Sequence, residues 1–313
     1  MLLHEEQYAE RMKEEVLPYL AARRAEDTFA TPDGLQLYRA RYTADQPRAT
    51  VLLIHGFSET AEKYLEMIYY FLRDGLSVVT LDQRGHGRSP RAAAHSVTHV
   101  DRFDEYLDDI SALLDDMKDT AVKPLYLYAH SMGGAVGALT LIRYPSLFRR
   151  AVLSSPMIAP RHDGLPLFVC RAICRFCMLT WRAQKPIFVA KNNREHESFE
   201  HSSSLSRVRF DFYREAKEKN PLLQGGKPTY AWTYAALGVT ARILKKGAPE
   251  RVNTPVLIFS ASNDHLVQNA PQETLARRLP AGGLIELDCK HEIYAAHDEI
   301  LHPYVDRVLE FFK

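Results

Sequence analysis

Residues 124–139 read PLYLYAHSMGGAVGAL, and the fold of the chain can be worked out from this stretch. An apolar run enters, a run rich in glycine and alanine leaves, and Ser131 lies at the junction. This order predicts a strand, a tight turn and a helix, which is the context of a nucleophile elbow. Such a turn exposes the serine hydroxyl at the end of a sheet. It also directs the first amides of the helix toward the group that the serine attacks.

The residues on either side of Ser131 are small, as the turn requires. The strand and helix backbones nearly touch there, so the positions two before and two after the serine have little room. Gly133 meets this requirement, and Ala129 departs from the usual glycine by one methyl group. The five residues alone are a weak signal. The strand before them and the small-residue helix after them make it much stronger.

Size and composition restrict the class of protein. The chain has 313 residues and is 46% hydrophobic, which predicts a sizeable core in one large domain or a domain with an insertion. A net charge of +1 gives no global field that would favour nucleic acid. Cys170, Cys174 and Cys177 lie at helical spacing in an apolar run, which favours small core side chains over a metal site.

Strand and helix patterns alternate along most of the chain. Residues 27–55 contain strands separated by turns. The predicted strands from there on are 50–54, 77–81, 124–128, 150–154, 255–259 and 284–287, and further helices are predicted at 60–73, 102–118, 270–279 and 303–312. Alternation of this kind predicts an α/β fold with a mostly parallel sheet and helices on both faces.

The alternation stops between about residues 157 and 240. Both tryptophans and the sequence GGKP at 225–228 fall in this stretch, which otherwise shows helical patterns. We therefore expect a helical cap at 157–240, inserted into a core formed by 27–156 and 241–313. Residues 1–26 are expected to form an N-terminal amphipathic helix.

A serine becomes nucleophilic when a histidine takes its proton and a carboxylate orients that histidine. After a nucleophile elbow the carboxylate comes first and the histidine second, each in the loop after a later strand. Asp264 follows the strand at 255–259, and His291 follows the strand at 284–287. Three positions thus agree at once, and the sequence predicts a catalytic triad of Ser131, Asp264 and His291.

Other residues of the same types are weaker candidates. Asp288 is nearer to His291 in sequence, but it ends the same strand and should point elsewhere. His130 is expected to pack behind the elbow, and structural or surface positions are expected for the remaining histidines considered: His55, His86, His265, His297 and His302. The oxyanion hole is predicted from the backbone amides of Met132 and Phe57.

Several motifs make the chain resemble the α/β-hydrolase superfamily, in particular its branch of monoacylglycerol lipases and bacterial lysophospholipases. The superfamily motifs are HGFSE at 55–59, DQRGHGRS at 82–89 and AHSMGG at 129–134. HVDRF at 99–103, YLDD at 106–109 and GGKPTYAW at 225–232 are similar to the bacterial lysophospholipases more narrowly. The resemblance implies a serine hydrolase of single-acyl lipids, either lysophospholipids or monoacylglycerols, with the same triad.

The expected chemistry needs no metal and no organic cofactor. The partner is a small-molecule or lipid ester, and Met157, Tyr230, Trp232 and Val267 are predicted to contact it. A general carboxylesterase for short, soluble esters is an open alternative, since its motifs are the same. A non-catalytic ligand receptor on this scaffold is another, because a fold does not fix a function.

An apolar run at 165–181 in the cap has two interpretations. It is either a helix packed on the core with its arginines in solvent, or a lid that enters a lipid surface while Arg171, Arg175 and Arg182 meet phosphate groups. The first is favoured, because amphipathic helices usually face the core. Without a signal-peptide pattern or a long uncharged apolar stretch, the expected location is cytoplasmic. The lid interpretation would add peripheral contact with the inner face of the membrane.

Overall fold

An eight-stranded sheet forms the centre of the computed structural model, which describes residues 2–91, 97–162, 164–188 and 198–313. The strands are β1 (Arg24–Ala30), β2 (Gln36–Tyr42), β3 (Ala49–Ile54), β4 (Leu76–Leu81), β5 (Val97–Thr98), β6 (Leu125–His130), β7 (Arg150–Ser154), β8 (Lys227–Pro228), β9 (Val256–Ala261) and β10 (Gly282–Leu287). The sheet order is β1-β2-β4-β3-β6-β7-β9-β10, and β5 pairs separately with β8. All neighbours from β4 to β10 are parallel, which confirms the mostly parallel sheet.

The central strands are apolar along their whole length because helices cover both faces of the sheet. Every residue of β3, β4, β6 and β9 is buried. The helices of one face are Asp104–Met117, Ser131–Arg143 and Asn269–Arg278, and those of the other are Leu65–Arg73 and Asp298–Phe311. These features confirm the predicted α/β-hydrolase fold. Within the described residues, no helix has the combined length and apolarity needed to cross a bilayer.

The N-terminal segment packs on the core. It is helical, with local irregularities, from Glu5 to Ala21. Its buried side chains recur every fourth residue and are Tyr8, Met12, Val16 and Leu20. This spacing puts one apolar stripe against the sheet face that also carries the helix Leu65–Arg73.

Two helix boundaries differ from the sequence prediction. The N-terminal helix ends at Ala21, not near residue 26, because Arg24 already pairs with Tyr42 in the sheet. The last helix begins at Asp298, five residues before the predicted start at Pro303. Acidic side chains in its first turn favour the earlier start, since they complement the positive end of the helix dipole.

The region predicted as the cap is helical. Its longer helices are Leu167–Cys177, Arg207–Lys219 and Tyr230–Leu237, and the first continues as an irregular turn, Met178–Arg182. The short parallel pair of β5 and β8 joins this region to the core. Cys174 packs with Tyr230 and Leu237 as a small apolar side chain.

The helix Leu167–Cys177 does not bury its large apolar side chains, so the favoured interpretation of a core-packed helix is wrong for them. We call this exposed group the cap surface: Leu165, Leu167, Phe168, Phe176, Leu179, Trp181 and Phe188. Trp181 is 96% exposed, and Phe168 and Leu179 are each 74% exposed. Within the helix Leu167–Cys177, only Cys174 is buried.

Arg209 ties the helix Arg207–Lys219 to the core. Its guanidinium is buried and bonds to Glu66 (Nε–Oε2, 3.0 Å) and to Asp298 (Nη1–Oδ1, 3.0 Å). The same group donates to the backbone oxygens of Leu3 and Ala296. One side chain thus connects the N-terminal segment, the cap region and two core helices.

We predict that Arg209→Leu lowers the free energy of unfolding by about 3 kcal/mol, because it leaves the buried Glu66 carboxylate without its charged partner. Urea denaturation followed by circular dichroism measures the change. The control is Arg207→Leu on the same helix, whose arginine is exposed and pairs with Asp211, and which should leave the midpoint nearly unchanged. An unchanged midpoint for Arg209→Leu would show that this network does not stabilise the fold.

Candidate active site

Ser131 lies at a strained turn between strand and helix. It directly follows β6, opens the helix Ser131–Arg143 and has a φ of +52°. A residue other than glycine seldom adopts this conformation, so the surroundings must hold it. The carbonyl of Ser131 accepts a hydrogen bond from the amide of Met157 (2.8 Å). This is the local geometry of a nucleophile elbow.

Gly133 lets the helix begin against the end of β3. A Cβ atom at position 133 would lie 2.4 Å from the carbonyl oxygens of Ile54 and His55. No side chain fits there, because those atoms belong to the backbone. The same approach brings Ser131 beside Gly56, where an added Cβ would lie 3.1 Å from the serine Cβ.

The alanine at position 129 is accommodated by a glycine one helix turn beyond the elbow. A Cβ at Gly137 would lie 3.0 Å from the Ala129 methyl and 3.3 Å from Leu127 and Leu153. Ala129 occupies the space that a side chain at 137 would need. The glycine at position 137 thus compensates for the extra methyl group of Ala129.

The three predicted triad residues lie in one hydrogen-bonded chain. His291 Nε2 is 2.8 Å from Ser131 Oγ, and His291 Nδ1 is 2.5 Å from Asp264 Oδ2. Asp264 and His291 are almost fully buried, and Ser131 is 9% exposed. The carboxyl ends of β6 and β9 and the loop after β10 meet at one edge of the sheet, which is why residues so far apart in sequence converge.

The Asp264 carboxylate is held in its charged form. Burial raises its pKa, but the hydrogen bond from His291 and two backbone amides outweigh burial, so the pKa lies below the usual value. The amides belong to Leu266 (2.8 Å) and Val267 (3.0 Å), and both donate to Oδ1. One carboxylate oxygen is thereby fixed by the loop, and the other faces the imidazole.

The backbone amides of both predicted oxyanion donors lack a hydrogen-bond acceptor among the described residues. Met132 is the second residue of its helix, so its N–H has no intrahelical acceptor. In the described part of the chain, the Phe57 amide also has no acceptor, whereas the Gly56 amide donates to Glu59 (2.7 Å). The Phe57 ring packs on Trp232 at 4.2 Å between centroids.

The rival residues have other partners. Asp288 accepts hydrogen bonds from Ser262 and Asn263. His130 is fully buried behind His291, with their rings 4.8 Å apart. His55 bonds to the Gly56 carbonyl of its own loop and accepts from the Gln83 amide of the loop that holds His86, and His86 bonds to the Arg84 carbonyl.

The four predicted substrate contacts are all buried. Met157 and Val267 are adjacent to the triad through the backbone bonds described above. Trp232 lies over the Phe57 ring, and its Nε1 donates to the Tyr106 hydroxyl (3.1 Å). Tyr230 packs instead with the apolar residues of the cap region. Whether any of them contacts substrate stays a prediction.

Sequence reasoning gave no role to Glu59, although it lies within the HGFSE motif. The carboxylate is buried and accepts hydrogen bonds from the loops on both sides of the site. The sequence did contain a signal: Glu59 directly follows a turn that was expected to be buried, and a buried carboxylate needs hydrogen-bond donors around it. The partners themselves are distant in sequence and could not be identified from it.

One group in the described ranges has metal-ligand character. His4, Asp298 and His302 have potential ligand atoms within 4.8 Å of one another. Their atoms already have partners, because Asp298 accepts from Arg209 and from the Glu5 amide, and His302 Nε2 bonds to the Leu3 carbonyl. The group thus serves to attach the N-terminal segment.

Comparisons with known proteins agree with the fold and the motifs. The Hydrolase_4 family model, described as serine aminopeptidase S33, matches residues 45–295. Lysophospholipase L2 of Escherichia coli is 27% identical over 312 residues, covering 93% of this chain and 88% of the relative. Monoacylglycerol lipase of Mycolicibacterium smegmatis is 33% identical over 148 residues, covering 47% of this chain and 51% of the relative. A soluble variant of monoglyceride lipase from Saccharomyces cerevisiae, solved with a substrate analog, is similar with a TM-score of 0.71 at 18% identity, over 92% of this chain and 94% of that one. These matches confirm the resemblance found in the sequence.

We predict that Ala129 and Gly137 are energetically coupled. Gly137→Ala overpacks the elbow, at a cost of about 1–3 kcal/mol before any gain in helix propensity. Adding Ala129→Gly removes one of the clashing methyl groups. In a double-mutant cycle the helix-propensity terms cancel. Measured by urea denaturation, the double variant Ala129→Gly/Gly137→Ala should be more stable, by about 1 kcal/mol, than the sum of the two single effects predicts. Strictly additive effects would contradict this account of the elbow.

Proposed function

The chain belongs to the Hydrolase_4 family, serine aminopeptidase S33, and we propose that it is an ester hydrolase that cleaves single-acyl lipids through an acyl-enzyme. The observation that carries the proposal is the hydrogen-bonded chain from Ser131 through His291 to Asp264. The lysophospholipase and monoacylglycerol lipase names of its relatives support the choice of substrate class.

In the proposed first half-reaction, His291 Nε2 takes the proton of Ser131 Oγ, which attacks the ester carbonyl carbon. The Phe57 and Met132 amides donate to the oxygen that becomes negative. As the tetrahedral intermediate collapses, the bond from carbon to the alcohol oxygen breaks. His291 then gives its proton to the departing alcohol, and the acyl group remains on Ser131.

Water completes the reaction in the second half. His291 takes a proton from a water molecule whose oxygen attacks the acyl-enzyme carbonyl. Collapse returns the proton to Ser131 Oγ and releases the carboxylic acid. Asp264 holds the Nδ1–H tautomer of His291 and stabilises the imidazolium formed in each half. The lowered pKa of Asp264 keeps it ionised for this role.

We predict serine-dependent turnover that favours long acyl chains. The substrates are p-nitrophenyl esters from two to sixteen carbons, lysophosphatidylcholine and a monoacylglycerol. Ser131→Ala should reduce kcat by about 10⁶-fold, because the nucleophile is gone. Asp264→Asn should reduce kcat by about 10⁴-fold through the wrong histidine tautomer.

The acyl-chain profile separates this proposal from its alternative. Turnover confined to the shortest esters would indicate a carboxylesterase for soluble substrates. Full activity in Ser131→Ala would rule out the acyl-enzyme mechanism. An amino-acid p-nitroanilide serves as a control for the peptidase activity that the family description names.

We further propose that the cap surface makes peripheral contact with the lipid in which the substrate resides, at the inner face of the membrane. Its exposed rings and leucines are the kind of group that enters the boundary between headgroups and acyl chains. Exposed Arg175 and Arg182 adjoin these apolar side chains and suit phosphate groups. Arg175 and Arg171 both hydrogen-bond to the Tyr234 hydroxyl and lower its pKa, and the Arg171 guanidinium also lies over the Tyr234 ring at 4.4 Å.

We predict that Trp181→Ser weakens binding to phosphatidylglycerol vesicles by about tenfold, since it removes the most exposed aromatic ring of the cap surface. Vesicle flotation measures the binding. Turnover of a short, soluble ester should not change. The matched control is Leu147→Ser, which removes an exposed leucine (39%) outside the cap region. Equal effects of the two substitutions, or none, would argue against a lipid-binding role.

A further inference from the structure

Glu59 is a buried carboxylate that takes no part in the proposed reaction. It lies at the end of the loop that follows β3, and it is 6% exposed. Among the described residues it accepts from four donors: the Gly56 amide (2.7 Å), the Tyr64 hydroxyl (2.5 Å), the Tyr294 hydroxyl (2.6 Å) and the Lys63 ammonium (3.0 Å). Such saturation is what a buried anion requires.

The two oxygens of this carboxylate bind different loops. Oε2 accepts from the amide of Gly56, the residue before Phe57. Oε1 accepts from the hydroxyl of Tyr294, three residues after His291. The loop that supplies a predicted oxyanion donor and the loop that supplies the predicted base are therefore joined through one carboxyl group.

His55 fixes the next peptide unit of the same loop. Its Nδ1 lies 2.7 Å from the Gly56 carbonyl oxygen, and its Nε2 accepts from the Gln83 amide. Burial lowers the pKa of His55, which favours the neutral ring. Because Nε2 accepts from the Gln83 amide, the proton of the neutral ring is on Nδ1. Since C=O and N–H of one trans peptide point in opposite directions, this bond turns the Phe57 N–H away from His55.

Glu59 is charged and can only accept. Burial raises its pKa, but the Lys63 ammonium and then the Tyr294 and Tyr64 hydroxyls lower it below the usual value. Lys63 also pairs with Glu292, the neighbour of His291, at 2.6 Å. A second link thus runs from Glu59 to the histidine loop.

We propose that Glu59 is a positioning residue for ester hydrolysis, which sets the place of the Phe57 amide relative to His291 by binding both loops at once. This role rests on the proposed function, because it concerns the distance between the oxyanion donor and the general base of that reaction. Glu59 contacts neither substrate nor reacting atoms. Its effect should therefore appear in the transition state and not in ground-state binding.

The test is Glu59→Gln, assayed on the preferred p-nitrophenyl ester. An amide keeps the shape but presents an NH₂ group to partners that are all donors, so the two loops lose their common anchor. We expect kcat to fall about 10- to 100-fold while KM stays within about twofold. The matched control is Glu62→Gln, a carboxylate three residues further along the chain that pairs with Arg24 and Arg88. It should keep both constants near those of the wild type.

Inhibitor binding distinguishes positioning from general damage. An alkyl trifluoromethyl ketone adds to the serine and forms an oxyanion, whereas the matching alkyl ether fills the site without one. In Glu59→Gln the ketone should bind weaker by the same factor as kcat/KM falls, and the ether should bind as in the wild type. Thermal unfolding verifies that each variant is folded.

Tyr294→Phe provides a second variant if Glu59→Gln does not fold. It removes one donor and leaves the carboxylate charged, so kcat should fall by about three- to tenfold. Unchanged kcat in a folded Glu59→Gln protein would overturn the proposal, as would equal losses of ketone and ether binding. Absence of ester turnover in the wild type would instead remove the proposed function, and this role with it.

Discussion

The helix that opens at Ser131 begins in contact with the carbonyl oxygens at the end of β3, and the rest of the site depends on this contact. It exists because position 133 has no side chain. It places the serine next to Gly56, the residue before the predicted oxyanion donor Phe57. Ser131 adopts its left-handed conformation at this junction, where the chain passes directly from strand into helix.

Around that contact the molecule buries several carboxylates, and each is saturated by donors from more than one element. Asp264 binds a histidine and two amides of its own loop. Glu59 joins two loops, and Glu66 receives the guanidinium of Arg209 from the cap region. In the low-dielectric interior, moving any one donor away from a buried carboxylate leaves a charge partly unpaired, which costs free energy. These three residues therefore join loops and helices that are distant in sequence.

The sequence predicted the fold and the neighbourhood of Ser131, Asp264 and His291 because those depend on order along the chain. A parallel sheet brings the carboxyl ends of its strands to one edge, so residues that follow successive strands meet whatever their sequence separation. The partners of Glu59 and the match between Ala129 and Gly137 depend on contacts across the fold, which no local pattern encodes. The helix Leu167–Cys177 was misjudged for a different reason. Its apolar stripe has helical spacing, but spacing does not say whether the stripe faces protein or solvent.

The two tryptophans of the chain lie in opposite environments. Trp181 is almost fully in solvent, whereas Trp232 is buried on the Phe57 ring and bonded to Tyr106. Their emission is therefore separable by colour and by quenching with iodide, without any attached label. The red-shifted component reports the cap surface, and the blue-shifted one reports the loop that carries the predicted oxyanion donor. If one tryptophan is replaced with phenylalanine, the tryptophan fluorescence of the protein comes from the other one alone.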